Sequence, residues 1–133
     1  MGSGRNGDRG IRLLIVDDTE HVRLMLVEML SADGFDIVAH TGNPQAAAAL
    51  CVEQDPDIVI MDLRMPGQDG LETTRRVRAH RPAQPVVLYT AYLDDEVERA
   101  AHEAGVTLCL GKVAGLPVLQ RELGRLAREI AEG

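Results

Sequence analysis

Five short apolar runs, each followed by a stretch of helical periodicity, constrain this chain more than any other feature. The runs are Ile11 to Val16, Asp36 to Ala39, Ile58 to Met61, Val86 to Tyr89 and Val106 to Leu110. Such runs alternating with helical segments read as strands of a parallel sheet, because joining parallel neighbours needs a crossover and a helix supplies it. Most are apolar without alternation, as expected of strands covered on both faces. The expected fold class is therefore α/β, one doubly wound five-stranded parallel sheet.

The segments between the runs carry their own punctuation. Val22, Met25, Leu26, Met29 and Leu30 recur at helical spacing after the first run, with Thr19 placed to cap the helix and Gly34 just beyond its end. Asn43 and Pro44 open an Ala-rich helix that ends near Gln54. Leu71, Thr74, Val77 and Arg78 mark a third helix, closed before Pro82, whose apolar stripe is thin. Asp94 caps a fourth helix that turns Val97, Ala100, Ala101 and Ala104 to the sheet and stops at Gly105. Leu119, Leu123, Leu126 and Ile130 form the stripe of a fifth.

A chain of 133 residues fits one domain with a sizeable core. Its apolar runs fall far short of the roughly 20 residues of a membrane span. Residues 1–10 hold four Gly and lack the apolar stretch of a signal peptide. We expect a flexible start, or a cloning remnant, over 1–10, a folded domain over 11–131, and a cytoplasmic location. A formal charge of -7 and only three aromatic rings disfavour nucleic-acid binding, which needs a basic patch and stacking platforms. Cys51 and Cys109 make neither a disulfide framework nor a zinc pattern and read as buried thiols; His21, His40, His80 and His102 have no metal spacing. The Met residues read as gap-fillers of the core.

The conspicuous polar residues occupy one kind of position. Asp17 and Asp18 follow the first run, Asp62 the third, Thr90 the fourth and Lys112 the fifth. In an open α/β sheet, ligands bind beyond the carboxyl ends of the strands where strand order reverses. A sheet ordered 2-1-3-4-5 reverses between its first and third strands, which puts Asp17, Asp18 and Asp62 side by side, flanked by Thr90 and Lys112. Three carboxylates against one ammonium leave an excess of about two negative charges, for which a hard divalent cation such as Mg²⁺ is the natural complement. A metal beside an ammonium and a hydroxyl suits a phosphoryl group. Asp62, on a loop punctuated by Pro66, Gly67 and Gly70, is the best candidate for a carboxylate nucleophile that forms an aspartyl phosphate. Taken singly, Asp17 and Asp18 also read as caps of the first helix and Asp62 as a turn residue. Asp69 reads as a turn or capping residue.

The same residues stand in the motifs LLIVDD, IVIMDLRMPGQDG, VVLYTAY and LGK. In this ordered set, from Ile11 to about Ile130, the chain resembles the receiver domain of bacterial two-component response regulators. The resemblance implies a flavodoxin-like (βα)5 fold of order 2-1-3-4-5. It also implies a signalling domain that takes a phosphoryl group from a sensor histidine kinase or phosphotransfer protein onto Asp62 and relays the change to a partner or output domain. Such a domain catalyses only its own phosphorylation and dephosphorylation. Carried over residue by residue, Asp18, Asp62 and the backbone carbonyl of Arg64 would hold Mg²⁺, with Asp17 acting directly or through water. Lys112 would contact the phosphoryl group, Thr90 would move toward it, and Met65, Pro66 and Gly70 would shape the loop. Asp94, Asp95 and Glu96 read first as a solvated helix terminus that suits the helix dipole. The alternative, by the resemblance, is a homodimer or effector surface on the fourth helix, fifth strand and fifth helix, to which these acids and Arg121, Glu122, Arg125, Arg128 and Glu129 would belong. Neither nucleic acid nor membrane is an expected partner of this domain.

Two positions depart from the family pattern. Val113 follows Lys112 where the family usually has Pro, often in a cis bond; a non-proline cis bond costs about 2.5 to 4 kcal/mol, so a trans bond or an altered loop is expected. Cys109 stands three residues before Lys112, where the family usually places an aromatic ring that switches between buried and exposed states. A thiol has no ring to swing, which leaves Tyr89 and Tyr92 as substitutes without a spacing argument for either. The first alternative is a degenerate receiver that acts as a phosphorylation-independent interaction module. The second, a haloacid-dehalogenase-like Mg²⁺ phosphatase, fits less well, since Asp62-Leu63-Arg64 lacks that family's second Asp and the chain has no room for a cap.

Overall fold

The computed structural model describes residues 10–133. The flexible start expected over 1–10 therefore lies, except for Gly10, outside the described residues. Five strands, β1 (Arg12–Val16), β2 (Asp36–Thr41), β3 (Ile58–Met61), β4 (Val86–Thr90) and β5 (Leu108–Gly111), form one parallel sheet in the order β2-β1-β3-β4-β5. Between and after them run α1 (Glu20–Ala32), α2 (Ala47–Gln54), α3 (Gly70–His80), α4 (Asp95–Ala104) and α5 (Leu116–Glu132). This is the flavodoxin-like doubly wound arrangement that the alternation of runs and helices predicts.

Successive strand residues point to opposite faces, so each strand feeds two cores. Leu14, Val16, Val59, Met61, Val86 and Leu88 pack with Ala47, Cys51, Val77 and Ala101 of α2, α3 and α4. Leu13, Ile15, Ile58, Ile60, Val87 and Tyr89 pack on the other face with Leu26, Leu30, Leu119, Leu123 and Leu126 of α1 and α5. The thin stripe of α3 has a physical explanation. Thr73 and Thr74 are fully buried because their hydroxyls donate to the carbonyls of Asp69 and Gly70, both at 2.7 Å, which removes the penalty of burying them.

Several expectations are corrected in detail. Met25 and Met29 are 42% and 40% exposed instead of filling the core, since the buried line of α1 runs through Leu26 and Leu30. Thr19 occupies the N-cap position of α1 but makes no side-chain capping bond. Cys51 is buried as expected, whereas Cys109 is only half-buried. The Ala-rich segment begins as a 3-10 turn over Pro44–Ala46, capped by Asn43, before α2 proper. Strand β2 runs on to Thr41 because His40 and Thr41 continue the ladder opposite Ile15 and Val16. Caps at Asp69 and Asp94 form as predicted, each side chain accepting a backbone N–H of the first turn at 2.8 Å. Gly34 and Gly105 end their helices at φ 97° and 96°, values a side chain rarely tolerates.

Candidate functional site

Parallel register delivers the acidic residues to one place. Val16 of β1 pairs with Met61 of β3, so the next residues, Asp17 and Asp62, leave the sheet side by side. Both stay tied to it by one further bond: Asp17 N–H donates to the Thr41 carbonyl at 3.1 Å and Asp62 N–H to the Val16 carbonyl at 3.0 Å. Asp17, Asp18 and Asp62 each bring a carboxylate oxygen within 4.8 Å of the others. Asp17 and Asp62 are buried, and Asp18 is half-buried.

Each carboxylate oxygen of the buried pair has a distinct neighbour. Asp17 Oδ1 accepts the Thr19 N–H at 2.9 Å while Oδ2 lies 3.1 Å from Lys112 Nζ. Oδ1 thus turns the chain at Thr19, just ahead of α1 and without capping a helical N–H of it, while Oδ2 faces the lysine. Asp62 Oδ1 accepts the Leu63 N–H at 2.8 Å, which leaves Oδ2 as the oxygen 3.6 Å from Lys112 Nζ. Lys112 enters the site directly after β5, at the start of a 3-10 turn over Lys112–Ala114. Burial pushes the Asp62 carboxyl up to about 6; Lys112 and the Leu63 N–H oppose that rise, and Asp17 and Asp18 add to it. One ammonium does not balance three acids in so confined a space.

The loop after β3 is shaped by close backbone contacts. The Gly70 N–H donates to the Leu63 carbonyl at 2.7 Å, and a Cβ on Gly70 would lie 2.1 Å from the Asp62 carbonyl oxygen. Only glycine lets the start of α3 approach the acidic residue this closely. Gly67 takes φ 84° within the same turn. Leu63 and Met65 turn into the core, while Arg64 is exposed and places its guanidinium 4.3 Å from the centroid of the Tyr92 ring.

Thr90 ends β4 opposite Gly111 and is fully buried; its Oγ1 accepts the Tyr92 N–H at 3.1 Å. Cys109 pairs with Leu88 on the sheet face covered by α2, α3 and α4. No cis peptide bond occurs among the described residues, so Val113 follows Lys112 in trans, and its side chain is 99% exposed. The structure thus gathers Asp17, Asp18, Asp62 and Lys112, with Thr90 on the adjoining strand end. Two contributors had no sequence signal that placed them here, although Tyr89 was already a candidate substitute ring. Tyr89 is buried with its ring centroid 5.8 Å from Lys112 Nζ, and Arg23 donates through Nη1 to the Asp17 carbonyl at 2.8 Å.

An all-oxygen donor set with a surplus of negative charge fits a hard cation such as Mg²⁺ far better than a thiophilic metal. Among the described residues no helix is long and apolar enough to cross a membrane. The charges of α5 largely pair within the helix: Arg125 contacts Glu122 at 2.8 Å and Glu129 at 2.7 Å. Such exposed pairs contribute little to stability.

Known proteins agree with this geometry. The family profile of the response regulator receiver domain matches residues 13–123. The chain is 37% identical over 101 residues to the transcriptional regulatory protein PdtaR of Mycobacterium tuberculosis, which covers 76% of this chain and 49% of that protein. It therefore spans about half the length of that relative. Among solved structures, a two-component response regulator of the LuxR family from Aurantimonas superposes with a TM-score of 0.81 at 30% identity, covering 89% of this chain and 86% of that one. The CheX–CheY–BeF3–Mg²⁺ complex from Borrelia burgdorferi superposes with a TM-score of 0.80 at 22% identity, over 88% of this chain and 90% of that one, a likeness of fold. From Leu13 to Leu123 the chain belongs to the response regulator receiver domain family, a signalling module of two-component systems.

Proposed function

We propose that Asp62 accepts a phosphoryl group from a sensor histidine kinase or phosphotransfer protein and that the change is relayed to a partner or output domain. One observation carries the reading: a buried carboxylate at the strand-order reversal, with one oxygen held by a backbone N–H and the other facing a lysine. A carboxyl pushed up to about 6 is still mainly ionised at neutral pH, so it keeps its nucleophilic lone pair. Attack on the phosphorus of a phosphohistidine forms the P–O bond as the P–N bond breaks, and the imidazole leaves. Lys112 neutralises charge on the phosphoryl oxygens, and the Thr90 hydroxyl donates a hydrogen bond to one of them. Asp17, Asp18, Asp62 and the backbone carbonyl of Arg64 would hold Mg²⁺. The bound ion supplies the positive charge that lets a phosphoryl dianion enter an acidic pocket.

The readout must differ from the family's usual ring on β5, since Cys109 stands there. Tyr89 is buried beside Lys112, whereas Tyr92 is 53% exposed, bonded through its N–H to Thr90 and stacked with Arg64. Movement of the Thr90 hydroxyl toward a phosphoryl group releases the Tyr92 N–H, so the Arg64–Tyr92 stack is the element that senses it. The chain has only two tyrosines, so fluorotyrosine labelling gives two ¹⁹F resonances. Phosphorylation is expected to shift the Tyr92 resonance in the wild type and not in Thr90→Ala.

Intact-mass spectrometry with acetyl phosphate tests the reaction itself. The expected result is a single Mg²⁺-dependent, hydroxylamine-labile phosphoryl adduct, absent in Asp62→Asn; no adduct at saturating donor and Mg²⁺ would refute it. The atypical Cys109 and Val113 favour one second reading, a receiver that docks without phosphorylation. Equal partner binding by wild type and Asp62→Asn, with phosphorylation of the wild type confirmed, would support that reading.

A further inference from the structure

The peptide of Asp17 is held from outside the acidic pocket by a bracket of three residues. Arg23, on the first turns of α1, donates through Nη1 to the Asp17 carbonyl at 2.8 Å and through Nε to His40 Nδ1, on β2, at 3.2 Å. Gly42, just beyond β2, closes the third side. A Cβ on Gly42 would lie 2.6 Å from Arg23 Nη1, although Gly42 is not among the positive-φ glycines. What glycine supplies there is space for a guanidinium, not backbone freedom.

These contacts complete the restraint of Asp17. Its N–H is bound by the Thr41 carbonyl, its carbonyl by Arg23, Oδ1 by the Thr19 N–H and Oδ2 by Lys112. Of these four, only the Arg23 bond comes from a charged donor lying outside the pocket. Charge-assisted bonds are the stronger kind, and this one fixes the carbonyl between two acidic residues whose carboxylates must point inward against their own repulsion.

We propose that Arg23 is a positioning residue for the acidic pocket. Its guanidinium, seated by His40 and Gly42, sets the direction in which Asp17 and Asp18 present their carboxylates to a cation. The inference rests on the Mg²⁺ site of the proposed function. A helix–sheet tie alone would account for the His40 contact, but not for a glycine that leaves room for the second guanidinium nitrogen on the Asp17 carbonyl.

Gly42→Ala separates positioning from folding, because the new methyl group meets the far end of a flexible side chain, which swings aside at little cost in stability. The experiment measures Mg²⁺-dependent thermal stabilisation of the unphosphorylated chain for wild type, Arg23→Ala, Gly42→Ala and the double variant, with adduct formation from acetyl phosphate followed in parallel. Removing an outer support typically weakens metal binding by about tenfold or more, so half-saturating Mg²⁺ is expected to rise about tenfold in Gly42→Ala while its metal-free midpoint stays near wild type. The double variant is expected to match Arg23→Ala, because the two changes act through one guanidinium. Unchanged half-saturation in Gly42→Ala, or a further loss when it is added to Arg23→Ala, would overturn the role of Arg23. A wild type that gains no stability from Mg²⁺ would instead overturn the metal site itself.

Discussion

The two ends of the sheet treat charge in opposite ways. At the amino end of the strands, charged side chains are partnered within the fold: the Arg12 backbone N–H donates to Asp57 Oδ2 at 2.9 Å, Arg81 Nη2 pairs with Asp55 at 2.6 Å, and Arg81 Nε donates to Gln84 Oε1 at 2.8 Å. Arg78 adds a bond to the Gln84 carbonyl at 2.8 Å. At the carboxyl end, the carboxylates of Asp17, Asp18 and Asp62 lie together, and among the described residues one ammonium, that of Lys112, pairs with Asp17 and Asp62. One end closes its electrostatics to hold loops together. The other leaves them unbalanced, and the imbalance adds to the rise of the Asp62 carboxyl.

Substitutions should therefore change stability with opposite sign at the two ends. Gln84 is 2% exposed and joins the loop before β4 to Arg81, so Gln84→Ala removes a buried amide and leaves a void. We expect a loss of about 2 to 3 kcal/mol in urea unfolding. A neutral result would show that the amino end is not where stability is concentrated.

Asp62→Asn should act the other way in metal-free buffer. The carboxyl is raised from 3.8 to about 6, so the folded state holds its proton more tightly than the unfolded state does. Below pH 3.8 both states are protonated and the burial penalty is absent; it grows as pH rises through the window and is complete above about 6. Asn never ionises. After allowance for solvent screening, its advantage is about 1 to 2 kcal/mol at pH 7.5, fading to none near pH 4. Unfolding curves of the two proteins across that range check both size and sign. A difference that is flat with pH would mean that the site does not penalise the charge.

A smaller effect sharpens the comparison. Asp69 belongs to the loop of the acidic end but serves α3 by accepting the Glu72 N–H at 2.8 Å. Asp69→Ala should cost about 1 kcal/mol of stability in urea. Because Asp69 is not one of the clustered carboxylates, adduct formation on Asp62 should persist. Loss of the adduct in a folded Asp69→Ala would place the edge of the functional region further along the loop.

How much of this was legible in the sequence follows from the kind of interaction involved. Strand β3 is found with its expected bounds, Ile58–Met61, because a fully buried strand leaves an unbroken apolar run. Strand β5 instead starts at Leu108, two residues later than its apolar run, since Val106 still bonds back to the Ala101 carbonyl at 2.9 Å. The acidic set was readable because strand-end positions in a known sheet order are predictable. Arg23 and Gly42 were not, since a side chain bound to a distant backbone carbonyl leaves no periodic trace. Tyr92 was visible only as one of two rings, and its contact with Arg64 depends on where two loops come to rest.

The most direct test of the central claim is chemical identification of the phosphorylated residue. Borohydride reduces an acyl phosphate to an alcohol, so a protein treated with acetyl phosphate and Mg²⁺ and then reduced should carry homoserine at position 62, read by peptide mapping. Homoserine at 62 and at no other aspartate is the predicted result. Unmodified Asp62, in a sample whose intact mass shows the phosphoryl adduct before reduction and homoserine elsewhere after it, would contradict the account.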